Sequence, residues 1–549
     1  MKLVVIGAVA AGTSLAAKAR RQDETLEIDV FEKGTSISYA VCGIPYAVGG
    51  EVDDFKRLEP RDVNFFKDKY NVIIHTEVEV VEILKDEKKI VVEHVLSGER
   101  NIYDYDVLAF ATGTRFHIPP PFNNQTFENL FQIKEPQTGM NVQNYIQKKN
   151  AKSAIVIGAG YVGLEMAEQL KKAGLDVSIL VKSAQALKGF DLDVAKRIEF
   201  EMKKQGIVFH KNTKVTSILS NGESIEALLL DDDEALKADV YVLATGVQPN
   251  TSLAEQMGVK LGPTGAIQVN EKMQTSLEGV YAVGDVAEKY SHKTHLPIWI
   301  PLATHANREG RIAGEAITGG NPRNPGISGT SILRFFDLTI AQTGLTETKA
   351  KALGFDIEVL YNIKNDRPEY ISSDKLFIKA VADRKNREFL GAQIIGTRGV
   401  DKRIDVFATA LYYHASVDDL VNFDLAYSPI YSTVRDPIQT TGMALGNGLD
   451  KHKTILPTEL DGDTFQLIDV RNPNEFQDGH IEGAKNIPLG ELRKNLERID
   501  STRPVVVYCN TGVSANAAQN ILKKSGFEEV YNLNGGFKSY IQSVKKKES

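Results

Sequence analysis

The sequence predicts a multidomain α/β protein, and three observations carry that expectation. Its 549 residues exceed what a single hydrophobic core serves and imply roughly three to four domains. An apolar strand running into a glycine turn and then a helix occurs twice, at KLVVIGAVAAG and AIVIGAGYVGLE. The last 90 or so residues alternate short strands (FQLIDV, VVVYC, EVYNL) with helices beginning at Pro473 and Ser514.

Bulk properties exclude several function classes. No apolar run approaches the ~20 residues needed to span a bilayer. The stretch from Leu3 to Ala17 is broken by Gly7 and Gly12, so it reads as strand, turn and helix start rather than a cleaved leader, and cytoplasmic residence is expected. A net charge of -7 argues against general affinity for nucleic acid. The Lys545, Lys546, Lys547 run reads as a solvated tail. Two cysteines are too few for a disulfide scaffold or a cysteine-rich metal site, and no metal is expected.

The first glycine turn has Gly7 and Gly12 with Val9 in the middle place, and Glu32 closes the next apolar run, IDVFEKG. In a dinucleotide fold the first glycine permits the tight turn and the pyrophosphate sits over the helix N-terminus. A carboxylate about 20 residues on holds the ribose hydroxyls. The second turn has the full set, Gly158, Gly160 and Gly163. Each unit has a later companion: YDVLAFATGTRFHIPP around Ala111, Thr112 and Gly113, and ADVYVLATGVQPN around Ala244, Thr245 and Gly246. TSLEGVYAVGDVAE then sets Asp285 just after a short apolar strand.

This order of elements, over residues 1 to about 440, resembles the two-dinucleotide-binding-domain flavoproteins, the pyridine nucleotide-disulfide oxidoreductase family. The resemblance implies two Rossmann-like domains. The first would bind FAD through Gly7, Gly12, Glu32, Lys33, Thr112, Gly113, Gly284, Asp285, Pro301 and Leu302, with Asp285 on the ribityl chain. The second would bind NADPH or NADH through Gly158, Gly160, Val162, Gly163, Glu165, Lys182 and Gly246. A carboxylate ending that unit's second strand would select NADH; VSILVKS offers Val181 and Lys182 instead, which tilts towards NADPH with dual use open. GTSILRFFDLTIAQTGLTE onward resembles the α+β dimerisation domain of these proteins and implies a homodimer. The expected boundaries are 1–115 and 250–325 for the FAD domain, 116–249 for the NAD(P) domain and 326–442 for the dimerisation domain. Residues 443–456, rich in glycine, charge and proline, read as a linker, and 457–545 as a further α/β domain.

Cys42 lies in ISYAVCGIPY. Disulfide reductases of the glutathione reductase type carry a second cysteine a few residues away, and this chain has none. The relay then uses a mixed disulfide with a small thiol or an oxidised sulfur such as a sulfenic acid. Single-cysteine peroxidases and oxidases of the superfamily carry a histidine where Ala10 stands. The segment instead looks like coenzyme A disulfide reductases, sharing Ser38, Cys42, Pro45 and Tyr46 and departing at Val41. Ser14, Lys18 and Arg21 recur at i, i+4, i+7 on one helix face. By resemblance they line a coenzyme A channel with Ser38, Lys69, Tyr370, Tyr427 and Arg435; as plain residues they are a solvated face. Tyr370 and Tyr427 would hydrogen-bond the substrate sulfur, Tyr427 by reaching the partner subunit's site. Cys42 is expected as a thiolate, stabilised by the oxidised flavin and a helix N-terminus.

The C-terminal unit, with LIDVRNPNEFQDGHIEGAKNIPL, VVVYCNTGVSANAAQNIL and LNGGF, resembles a single-domain rhodanese at Asp469, Arg471, Glu475, His480, Gly483 and Ala484. Cys509 ends a strand and opens a loop into a helix, where backbone N–H groups from Asn510 to Ser514 suit a persulfide anion. An arginine is frequent where Ser514 stands, so thiosulfate is expected to be a poor donor. The fusion implies reduction of coenzyme A persulfide or polysulfide, and of coenzyme A disulfide, with sulfane sulfur handled at Cys509. Two alternatives stay open: an NAD(P)H oxidase or peroxidase using a Cys42 sulfenic acid, and a non-enzymatic redox-sensing or sulfur-delivery module.

Overall fold

A computed structural model describes residues 1–549 except 124, 233, 451, 462 and 544–549, so the basic tail at Lys545 to Lys547 lies outside the described residues. The chain folds as two units, Met1–Ala184 with Met202–Ile327, and Gln185–Glu201 with Ser328–Ser549. Among the described residues no helix is long and apolar enough to cross a membrane.

The first unit holds both glycine-turn motifs. One sheet runs in the order Val280–Ala282, Val107–Phe110, Lys2–Ile6, Glu27–Glu32, Ile73–Thr76, all parallel. The second runs Val208–His210, Asp176–Leu180, Ser153–Ile157, Val240–Leu243, Leu130–Gln132, again parallel. Parallel strands covered on both faces need continuous apolar runs, and Leu3, Val5, Val30, Leu108, Val156, Ile179, Val240 and Val242 are fully enclosed. Each central strand delivers its chain to a glycine turn and a helix, Ala10–Gln22 in one case and Tyr161–Lys172 in the other.

Steric demand explains why the two turns repeat. A Cβ on Gly7 would stand 2.3 Å from the Ala111 carbonyl oxygen, and one on Gly158 would stand 2.2 Å from that of Ala244. Both glycines also have φ in the left-handed half, +108° and +116°.

The second unit contains two sheets. An antiparallel sheet runs Ser331–Phe335, Leu338–Gly344, Phe389–Gly396, Lys375–Asp383, Ile357–Asn365, backed by helices Val400–Tyr412, Val417–Asn422 and Pro437–Leu449. A parallel sheet runs Thr454–Ile455, Val530–Leu533, Val505–Tyr508, Gln466–Asp469, Lys485–Asn486. Segment 185–201 belongs to this unit because Lys379, 2% exposed, lies between its Asp191 and Asp193 (3.0 and 2.8 Å) and Glu347 (2.7 Å). A lysine this deep holds its charge through surrounding carboxylates.

The stretch 443–456 differs from the irregular linker expected of it. It is helical as far as Leu449 and forms a strand at Thr454–Ile455. Asp436 caps the helix in a reciprocal box with Gln439, and Pro437 occupies the first turn. Its Gly448 serves close packing rather than flexibility: a Cβ there would meet Glu358 Oε1 at 2.2 Å.

Candidate active site: two sulfur centres

In the first unit the chain leaves strand Glu27–Glu32, crosses below the first glycine turn and reaches Cys42. Glu32 accepts from the backbone N–H groups of Ala8 (2.9 Å) and Gly34 (3.0 Å), which fixes its carboxylate beside the turn. Ser38 takes a left-handed backbone conformation (φ 51°) and donates its N–H to Ala8 at 3.0 Å, so the segment carrying the cysteine is tied to the turn. Cys42 then sits in the single turn Val41–Gly43 ahead of the short helix Ile44–Val48 and reaches solvent.

The protein's own groups around Cys42 do not, on balance, favour its thiolate. Partial burial, then the negative charges of Glu165 and Asp285, push the thiol up from its ordinary value. The protein's own groups therefore favour the neutral thiol. Tyr46 Oη donates to Glu165 at 3.2 Å, linking the cysteine segment to the helix of the second glycine turn.

The residues fit FAD. Asp285 Oδ1 is buried and has no partner among the described residues, and burial raises that carboxyl. A Cβ on Gly12 would lie 1.9 Å from the Gly7 oxygen, and one on Gly284 would lie 2.7 Å from Ala11 Cβ, so both turns are as close as backbone allows. Thr112 Oγ1 donates to the Asn250 carbonyl at 2.7 Å and Gly113 has φ 63°. Pro301 and Leu302 lead into helix Ala303–Ile317, whose N-cap is Leu302. Lys33 points to the surface, 3.9 Å from Glu79.

NAD(P) is accommodated in the same way at the second turn. Gly163 would clash with Gly158 at 2.1 Å if it bore a Cβ, whereas a Cβ on Gly160 or Gly246 would meet open space, leaving room for a backbone-hugging pyrophosphate. Val162 is exposed beside it, and Lys182 is exposed two residues beyond strand Asp176–Leu180.

The helical face of Ser14, Lys18 and Arg21 is not a free solvated face. Ser14 accepts from Asn307 Nδ2 at 2.8 Å and Lys18 pairs with Glu315 at 2.8 Å, both on helix Ala303–Ile317. Arg21 and Lys69 are brought together instead, over the Tyr70 ring at 5.6 and 5.5 Å.

Three groups at this site escape sequence reasoning. Lys134 is half-buried, donates to the Thr114 carbonyl at 2.7 Å, and is pushed down by burial and by Lys33. Lys289 and Glu309 form a buried pair at 3.5 Å behind the Gly284–Asp285 turn. Glu309 accepts the Gly284 N–H at 2.9 Å while Lys289 donates to the Gly284 carbonyl at 2.8 Å. Burial holds the Glu309 carboxyl up to about 7. A lone lysine in QIKEP carries no signal, but Glu309 did leave one: it interrupts the apolar stripe of Ala306, Gly310 and Ala313.

The second unit holds Cys509, Tyr370, Tyr427 and Arg435. Cys509 is buried at the end of strand Val505–Tyr508, and its carbonyl accepts the Phe537 N–H at 2.8 Å. Gly536 must be glycine here, since a Cβ would stand 2.3 Å from that carbonyl. The loop reaches helix Val513–Lys524 through Gly512 (φ 89°), whose carbonyl accepts from Asn532 Nδ2 at 3.0 Å. Arg471 and Asp469 form a buried pair at 2.6 Å, and Glu475 accepts from Asn510 Nδ2 at 2.6 Å, so the predicted structural residues brace the cysteine loop. His480 stacks on Phe476 at 3.8 Å. Tyr370 and Tyr427 are exposed at 76% and 47%, with Ile430, Tyr431 and Val434 beside Tyr427 in sequence also exposed.

Comparison with known proteins agrees with this architecture. Residues 1–310 match the pyridine nucleotide-disulphide oxidoreductase model, 330–437 its dimerisation domain and 453–543 the rhodanese-like domain. An NAD(P)H coenzyme A polysulfide/persulfide reductase of Pyrococcus horikoshii is 35% identical over 440 residues, 80% of this chain and 96% of that protein. The crystal structure of reduced Bacillus anthracis CoADR-RHD superposes with a TM-score of 0.96 at 36% identity, covering 99% of this chain and 98% of that one. An NAD-dependent persulfide reductase from A. fulgidus superposes with a TM-score of 0.92 at 34% identity, covering 98% and 100%. With its paired glycine turns, the one cysteine of its first unit and these matches, the chain belongs to the pyridine nucleotide-disulphide oxidoreductase family and carries a rhodanese-like domain at its C-terminal end.

Proposed function

We propose that this protein uses NADPH or NADH to reduce coenzyme A persulfide, polysulfide and coenzyme A disulfide, releasing hydrogen sulfide from the persulfide. The observation that carries the reading is that Cys42 has no second cysteine in its unit. Its sulfur partner must therefore be a diffusible thiol.

As thiolate, Cys42 attacks the coenzyme A sulfur of the persulfide. The S–S bond breaks, hydrosulfide leaves with the bonding electrons, and Cys42 is left in a mixed disulfide with coenzyme A. Two electrons originating in the nicotinamide then reopen that disulfide, returning the Cys42 thiolate and freeing coenzyme A. Bound FAD supplies the two-electron relay. The chain's residues do the rest. Gly7, Gly12, Glu32 and Asp285 hold the flavin, while the second glycine turn holds the nicotinamide cofactor. Burial, then Glu165 and Asp285, raise the Cys42 thiol, and a substrate or cofactor charge would offset them. Ser38 orients the cysteine segment, and Arg21 and Lys69 offer positive charge to the phosphates of coenzyme A. Ser14 and Lys18 shape the same helix.

Cys509 takes sulfane sulfur and passes it to a coenzyme A thiol, making the persulfide that Cys42 consumes. The exposed tyrosines suit a homodimer in which Tyr370 and Tyr427 approach the partner's substrate sulfur. The cytoplasm, where free thiol carriers stay reduced, is the compartment this chemistry needs.

The test pairs two variants. Cys42→Ser should abolish persulfide-dependent NAD(P)H oxidation; a variant that stays active rules the mechanism out. Cys509→Ser should impair polysulfide use and spare coenzyme A persulfide, and equal loss with both substrates refutes the transfer. An oxidase or peroxidase reading would require peroxide or oxygen consumption in place of hydrogen sulfide release, and Ala10 offers no histidine to a sulfenic acid.

A further inference from the structure

The loop that follows Cys509 carries no cation: its residues are Asn510, Thr511, Gly512, Val513 and Ser514. Arg471, the nearby guanidinium of the same domain, is already committed to Asp469 and the Gly479 carbonyl. Positive charge arrives from the antiparallel-sheet domain of the same unit. Lys364, near the end of strand Ile357–Asn365, shares with Thr511 the walls of two adjoining cavities of about 210 and 240 Å³. Arg435 lines the first cavity and Lys375 the second.

Lys364 is half-buried, and neither it nor Arg435 has a carboxylate within ion-pair distance among the described residues. Lys375 is partly taken up by Glu369 at 3.6 Å. Burial and the like charges of Arg435 and Lys375 push the Lys364 ammonium down, and Cys509 is the acidic group that pulls it back. An ammonium so placed gains from an incoming anion. Arg435 is held there by its neighbour: Asp436 is clamped by Arg403 at 2.9 Å and by Ser432 at 2.6 Å, and Thr433 Oγ1 donates to the Arg435 carbonyl at 2.7 Å.

We infer that Lys364 and Arg435, with Lys375 beside them, form the anion-recognition site of the sulfur centre at Cys509, and that its ligand is a small dianionic sulfane-sulfur donor, an inorganic polysulfide. The inference rests on the reading of Cys509 as an acceptor of polysulfide sulfur and adds the residues that recognise the anionic donor. The chemistry requires such a site because both reactants are anions. The Cys509 thiolate attacks the terminal sulfur of the polysulfide and forms a new S–S bond. The next S–S bond breaks, and a polysulfide shorter by one sulfur leaves with the electron pair. No net oxidation occurs, and the Cys509 persulfide carries the thiolate's original charge. Cations from a neighbouring domain offset the repulsion that the uncharged loop cannot.

The experiment measures persulfidation of Cys509 by mass spectrometry in the full-length holoenzyme, on a Cys42→Ser background, after rapid mixing with sodium polysulfide or with coenzyme A persulfide. Polysulfide loading should slow with added salt, and Lys364→Gln should slow it about tenfold and flatten that salt dependence, while Lys364→Arg restores both. A Lys364→Gln variant that matches its parent in rate and salt response overturns the inference. So does a loss confined to coenzyme A persulfide, which would assign the cluster to the carrier's phosphates. A flat salt response in the parent overturns it without any variant. If Cys509 loads from neither donor, the sulfur-acceptor reading itself falls, and the recognition site with it.

Discussion

Replacing Glu309 by glutamine tests whether the Gly284–Asp285 turn is held by a buried, pH-sensitive carboxyl. Glu309 is fully enclosed, accepts the Gly284 N–H at 2.9 Å and is held up to about 7 against an ordinary 4.5. Because the folded value is the higher one, the native state keeps a proton that the unfolded chain releases. Stability from this group is therefore complete below pH ~4.5 and is lost as pH rises through about 7. At 1.36 kcal/mol per pH unit the loss is about 3 kcal/mol at most. Glutamine keeps an oxygen for the Gly284 N–H and removes the titration. Thermal unfolding of the holoenzyme, followed from pH 4.5 to 8, should show the wild type losing several degrees relative to Glu309→Gln, at ~2 °C per kcal/mol for domains of this size. Parallel curves for the two proteins would refute the reasoning.

Three further outcomes follow from the same geometry. Glu165→Gln removes a negative charge that raises the Cys42 thiol, so the pH profile of Cys42 alkylation by iodoacetamide should move to lower pH; an unmoved profile would leave burial and Asp285 as the causes. Gly12→Ala places a methyl 1.9 Å from the Gly7 oxygen, and the purified variant should lose nearly all flavin absorbance, with stability lowered by ~1–3 kcal/mol from overpacking. Lys379→Met leaves Asp191, Asp193 and Glu347 without their shared cation, and calorimetry should register a loss of about 3–5 kcal/mol in the second unit.

Much of the fold was legible because its signals are local and steric. Gly7, Gly158 and Gly536 stand where a side chain has no room, and such positions mark the chain whatever lies around them. The two sulfur centres were legible for a related reason: with two cysteines in the chain, each one's setting could be read without competition. What stayed hidden depends on contacts far apart in sequence. Segment 185–201 reads as part of the second nucleotide unit, yet Lys379 draws it into the other. Gly448 reads as flexibility because the side chain it presses against, Glu358, lies elsewhere in the chain. Lys364 looks like any strand lysine until the Cys509 loop is placed beside it. The charges that add to burial in raising the Cys42 thiol were hidden in the same way, since Glu165 and Asp285 are more than a hundred residues away.

Tyr361 acts as a joint. Its hydroxyl bonds Asp193, its backbone N–H bonds Asn534 Oδ1 at 3.0 Å, and Asn534 in turn donates to the Val359 carbonyl at 2.9 Å. One residue thus ties together three stretches that sequence comparison assigns to three separate modules. Modules joined by a tether can be exchanged between genes by cutting the tether. Here a rhodanese excised at residue 453 would leave Tyr361 and Val359 with unmet backbone groups, and a grafted one would need its own asparagine at the same place. A swap made only at the sequence boundary should therefore lower the thermal stability of the second unit, because the hydrogen bonds of Tyr361 and Val359 to Asn534 go unmet.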